Sequence, residues 1–85
     1  FMLSQNYPNP FNSSSVIKYS IPTYTQVTLK IFNTLGEEIE TLINETKPVG
    51  TYDVNWNASN LPSGVYFYRL QAGSFVQTRK MILLK

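Results

Sequence analysis

The sequence predicts an all-β sandwich, and three features predict it. Short segments of apolar and polar alternation recur along the chain. Clusters of Pro, Gly, Asn and Ser separate them. No segment is convincingly helical, so no α/β layer is expected. Six or seven short strands account for the whole chain.

The clearest element is Gly64–Gly73, which contains Val65, Tyr66, Phe67, Tyr68 and Leu70. Aromatic and β-branched residues fit a pleated, half-buried surface, and no proline interrupts the run, so it reads as a central strand. The breaker cluster Leu61–Pro62–Ser63–Gly64 precedes it. Gly73–Ser74 follows, a two-residue link with glycine first that suits a tight hairpin. Phe75–Lys85 is the return strand. This hairpin is expected to run to the last residue and leave no ordinary tail.

From the start, Phe1–Ser15 is turn-rich, with Asn6, Pro8, Asn9, Pro10 and Asn12 set around anchors at Leu3, Tyr7 and Phe11. Pro8 and Pro10 push the residues before them toward extended backbone. An ordered lead-in over 1–14 is expected, with Tyr7 and Phe11 packed on the edge of a domain spanning 15–85. Ser15–Ile21 alternates, with Ile17, Tyr19 and Ile21 on one face, and ends at Pro22. Thr25–Leu35 alternates next, with Val27, Leu29 and Ile31 inward and Phe32 out of pattern. Asn33–Gly36 is a turn, where Gly36 supplies a positive φ at no steric cost. Glu37–Ile43 has partly helical spacing but is short and lies between strands, so strand is the reading. Asn44–Gly50 reads as a loop containing Pro48 and Gly50. Thr51–Asn57 alternates cleanly, with Tyr52, Val54 and Trp56 on one face and Trp56 at the core centre.

At 85 residues the chain is one domain with a small core. Six Tyr, five Phe and one Trp fill such a core with few side chains. Cys and His are both absent, which removes disulfides, thiolate metal sites and the usual nucleophile–base pairs. The net charge of +2 is too small for a nucleic-acid footprint. Phe1 is not an initiator methionine, so the chain is expected to be cut from something longer. Lys18 and Lys30 fall on solvent faces. Glu37, Glu38, Glu40 and Glu45 cluster as a charged face rather than a catalytic pair. Asp53, Asn55 and Asn57 line one side of a strand, whereas a calcium loop must wrap the ion. No catalytic, cofactor-binding or metal-ligating residue is expected, and the chain is not read as an enzyme.

Two binding modes stay open. Tyr19, Tyr24, Tyr52, Tyr66 and Tyr68 include enough rings for a sugar platform, were they exposed in one row. The terminal strand has apolar residues on both faces, Met81 and Leu83 against Ile82 and Leu84. Either both faces are buried, or a partner reads the strand by strand addition.

The run Leu3–Asn12, LSQNYPNPFN, resembles the opening of the C-terminal sorting domain of the type IX (Por) secretion system of Bacteroidota and related phyla. The resemblance continues through Ile17–Pro22, Val27–Ile31, Leu35–Gly36, Thr41–Leu42, Pro48–Gly50, Trp56 and Ser63–Leu70, and ends with Thr78–Lys85. One departure is Ser13, where the family often has proline. The resemblance implies an immunoglobulin-like sandwich, akin to the Ig-like domain of the hook-capping protein. It implies a non-catalytic label that directs an N-terminally fused cargo across the outer membrane. The partners so implied are the type IX translocon and a sortase-like peptidase. Cleavage, at or upstream of Tyr7–Pro10, and surface attachment or release would follow. The route runs through the periplasm to the cell surface or medium. Lys80, Met81, Ile82, Leu83, Leu84 and Lys85 fall on the part the machinery is expected to read. Tyr7, Pro8, Phe11, Gly36, Gly50, Trp56, Gly64, Tyr66 and Phe67 are expected to be structural. No cofactor or nucleic acid is implied, and weak self-association through strand edges is expected. The alternative is an accessory Ig-like module for carbohydrate or surface binding in a larger secreted enzyme.

Overall fold

A computed structural model describes all residues, Phe1–Lys85. Seven strands form: β1 (Met2–Leu3), β2 (Ser14–Ile21), β3 (Thr25–Phe32), β4 (Glu38–Lys47), β5 (Gly50–Asn57), β6 (Gly64–Ala72) and β7 (Phe75–Leu83). They build two antiparallel sheets, ordered β1-β2-β5 and β4-β3-β6-β7, with no helix. This is an immunoglobulin-like sandwich in which the fourth strand pairs with the third rather than the fifth.

The alternation in the sequence becomes the core. Ile17, Tyr19 and Ile21 of β2 meet Val27, Leu29 and Ile31 of β3 and Tyr66, Tyr68, Leu70 and Ala72 of β6. Trp56 is 1% exposed and lies between Phe11 and Tyr66, each ring centroid 5.9 Å from its own. Its indole Nε1 donates to Glu40 Oε1 at 2.9 Å, which satisfies the one polar atom such a ring must bury.

Turn chemistry fixes the registers. At Gly73 φ is +60° while Ser74, the second turn residue, is not positive, the geometry of a type II′ turn. Ala72 therefore faces Phe75, and β6 pairs with β7 throughout. At the β3–β4 turn, Asn33 Oδ1 accepts from the amides of Leu35 and Glu37, and Gly36 takes a φ of +81°.

Two expectations are corrected. Asn44–Lys47 is not loop: β4 runs to Lys47, and only Pro48 and Val49 link it to β5. Its polar residues pair with β3, where Gln26 exchanges side-chain hydrogen bonds with Asn44 and Thr46. Tyr7 does not pack on the domain. Its backbone bridges to Val16 through a reciprocal pair of 2.9 Å hydrogen bonds, which turns the ring outward and leaves it 79% exposed. Phe11, by contrast, is 2% exposed and part of the core.

Candidate functional site

The segment Lys80–Lys85 closes the four-stranded sheet at its β7 edge. Inward alternation buries Met81 and Leu83 completely. Ile82 is half-buried on the outer face, and Lys80, Leu84 and Lys85 are exposed. The terminal strand thus has one core face and one accessible face; it is not buried on both.

The free edge of β7 is not free. The lead-in follows β2 as far as Tyr7, then crosses to β7, where Phe11 forms a parallel bridge with Leu83. Phe11 N donates to Ile82 O at 3.0 Å, and Leu84 N donates to Phe11 O at 2.8 Å. Asn9 Oδ1 accepts from Ile82 N at 3.0 Å. Gln5 Nε2 donates to Lys80 O at 2.7 Å, and Arg79 Nε donates to Leu3 O at 2.7 Å. Beyond the strand, Lys85 N donates to Ser63 Oγ at 3.0 Å and Lys85 Nζ donates to Ser59 O. With β6 on one side and the lead-in on the other, the backbone of the segment is occupied. At Ile82 and Leu84 the edge groups that strand addition would use are already paired with the lead-in.

A buried polar cluster holds the lead-in. Asn6 is 2% exposed, and its Nδ2 donates to Ser15 Oγ at 2.9 Å and to Pro8 O at 3.2 Å. Asn6 N donates to Tyr68 Oη at 2.9 Å, while the same hydroxyl donates to Ser4 O at 2.6 Å. Burial raises the Tyr68 phenol above the ordinary tyrosine value; the Asn6 bond and nearby Arg79 partly oppose this. The sequence reading did not foresee that Asn6, Ser15 and Tyr68 meet, because Asn and Ser in such a stretch signal turns equally well and Tyr68 reads only as a strand aromatic.

The other predicted residues scatter. Gly50 begins β5, Gly64 begins β6 opposite Leu83, and Gly36 sits in the β3–β4 turn. Tyr66 is buried with its hydroxyl on Pro62 O at 2.7 Å, whereas Phe67 points to the outer face of β6. No sugar platform forms from the five tyrosines. Tyr19, Tyr66 and Tyr68 are buried, Tyr52 stacks on Tyr19 at 5.3 Å, and Tyr24 stands alone on a loop. Lys18 and Lys30 face solvent and pair with Asp53 at 3.9 Å and Glu38 at 3.1 Å. A hydrogen bond from Thr41, then Lys30, holds the Glu38 carboxyl below the usual range. No group of three His, Cys, Asp or Glu side chains comes together.

Comparison with known proteins accords with this arrangement. A family model described as the secretion system C-terminal sorting domain matches residues 5–84. The match takes in the lead-in from Gln5, β2 to β7 and the tail as far as Leu84. Among curated proteins, none matches the chain. The chain belongs to the secretion system C-terminal sorting domain family and is a sorting signal of type IX secretion.

Proposed function

We propose that the signal is read on the folded domain and that Lys80–Lys85 is the segment read. The observation that carries this is the double clamp on β7. β6 and the lead-in fix the segment's backbone and leave the side chains of Lys80, Leu84 and Lys85 in solvent. A rigid, pre-ordered epitope binds without the ordering cost of a loose tail. Recognition, not turnover, is then the whole activity, and no group of the chain acts as a catalyst. The readers are the outer-membrane translocon and, later, a sortase-like peptidase. The cargo is fused at the amino end, passes through the periplasm and finishes on the surface or in the medium.

The division into a lead-in, 1–14, and a sandwich, 15–85, is one of role. The lead-in packs against the end of β7 through the buried Leu3, Asn6 and Phe11, while Tyr7–Pro10 between them is exposed. A cut at or upstream of the exposed Tyr7–Pro10 stretch fits this arrangement.

The test is sufficiency. An inert periplasmic reporter is fused to Phe1–Lys85 and expressed in a bacterium with a type IX system. Export of the reporter to the surface or medium is expected. A reporter that stays in the periplasm, with the domain folded, overturns the proposal. Deleting Lys80–Lys85 is a poor control, because Met81 and Leu83 are core residues and their loss unfolds the domain.

A further inference from the structure

The outer face of the four-stranded sheet carries an unbalanced set of charges around two aromatic rings. Phe32 of β3 stands directly opposite Phe67 of β6, and Phe67 directly opposite Lys80 of β7. Val65 faces Ile82 one step further along. The Arg69 guanidinium lies over the Phe32 ring, 4.6 Å from its centroid. Arg69 also stands directly opposite Lys30. Like charges placed opposite one another across a sheet are destabilising. Only one carboxylate on this face offsets them. Glu38 binds Lys30 at 3.1 Å, while Glu40 and Glu45 oppose the inward Ile31 and Val27. Arg69 and Lys80 are in no ion pair, although the Glu38 carboxylate opposite Phe32 lies within electrostatic reach of Arg69.

We propose that this face is a docking surface for a folded protein partner that presents carboxylates around an apolar centre. The rings of Phe32 and Phe67, with Val65 and Ile82, supply a flat apolar middle. Arg69 and Lys80 supply the unpaired positive charge beside it. A guanidinium already stacked on a ring is pre-oriented and takes a carboxylate bidentately with little further loss of freedom. Where the lead-in covers the end of β7, the side chains are what a partner can read, and Lys80 and Ile82 join the tail to this face without a break. The inference rests on the tail being read in the folded state. It adds that the epitope extends across β6 and β3, outside the tail.

The test changes β6 and β7 positions outside Lys80–Lys85, in the reporter fused to Phe1–Lys85. Arg69→Glu reverses the charge over the rings. Thr78→Glu, directly opposite Arg69 on an exposed site, adds a carboxylate without removing any packing. Lys18→Glu on the other sheet is the matched control. Each fusion is checked for an unchanged melting transition. At least a tenfold fall in export is expected for Arg69→Glu and for Thr78→Glu, with Lys18→Glu within twofold of wild type. Wild-type export by both outer-face variants overturns the inference, while a wild-type fusion that is itself exported leaves the tail reading standing. Flotation with phosphatidylglycerol vesicles separates the other source of negative charge. Vesicle binding that Arg69→Glu abolishes, together with unchanged export, assigns the face to a membrane and overturns the protein partner.

Discussion

At the residue scale, the buried hydroxyl of Tyr68 ties the core to the lead-in. It accepts from Asn6 N and donates to Ser4 O, so one atom holds two backbone groups of a segment more than sixty positions away. Tyr68→Phe leaves both backbone groups without that partner, at a cost of about 1–3 kcal/mol in denaturant unfolding. The same residue sets an alkaline limit. Its folded pKa is raised, chiefly by burial, so the unfolded chain ionises first. Its contribution is complete below about pH 10 and is lost as pH rises from there through the folded value. Unfolding followed against pH is expected to steepen above about pH 10 in the wild type and to be shallower in Tyr68→Phe. Trp56 is the second test at this scale. It is enclosed by Phe11 and Tyr66, so Trp56→Ala is expected to cost about 3–5 kcal/mol, read in the same unfolding experiment.

At the scale of elements, the β6–β7 hairpin and the lead-in over β7 matter most. Gly73 holds the hairpin at φ +60°, and an added Cβ would meet only Thr25 Oγ1 at an ordinary 3.6 Å. Gly73→Ala is therefore a purely conformational change, expected to cost about 1–2 kcal/mol by thermal or chemical unfolding. The lead-in is tested by hydrogen exchange. The amides of Phe11, Ile82 and Leu84 are expected to be protected, and removing residues 1–10 should release Ile82 and expose an edge that self-associates. Fast exchange at Ile82 in the intact chain would contradict a sealed edge. The elements differed in how plainly the sequence showed them. Ile17–Tyr19–Ile21 and Val27–Leu29–Ile31 were legible because a sandwich buries one face of each strand and leaves a period of two. Asn44–Lys47 was not, because β4 is an edge strand with little burial on either face, and polar residues there carry no period. The seal on β7 was not legible either. Asn9, Gln5 and Asn6 reach partners remote in the chain, and such a bond leaves no mark in local pattern.

At the scale of the whole molecule, the sandwich serves, under the proposed function, as a mount for one strand. Its core fixes Met81 and Leu83, β6 fixes one edge of β7, and the lead-in fixes the other. The tail was legible as a candidate because Met81–Leu84 is apolar on both faces of a strand. Arg69 and Phe32 were not, since they meet only through the register of three strands. The ordered motifs from Leu3 to Lys85 are spread through the fold rather than gathered at one point, as a display scaffold requires. Most hold the mount, and few touch solvent near the tail. Secretion should therefore fail in two distinguishable ways. Core changes such as Trp56→Ala lower export together with stability. Changes at exposed tail positions lower export alone.

The most direct measurement compares the exported fraction of a reporter fused to Phe1–Lys85 with that of the same fusion carrying Lys80→Ala, Leu84→Ala and Lys85→Ala. All three side chains are exposed, so the melting transition should stay within a few degrees, about the shift of a 1 kcal/mol change. The account predicts that the altered fusion remains folded and accumulates in the periplasm, with export reduced at least tenfold. Export equal to the wild type from the folded variant would contradict it and place the signal elsewhere on the domain.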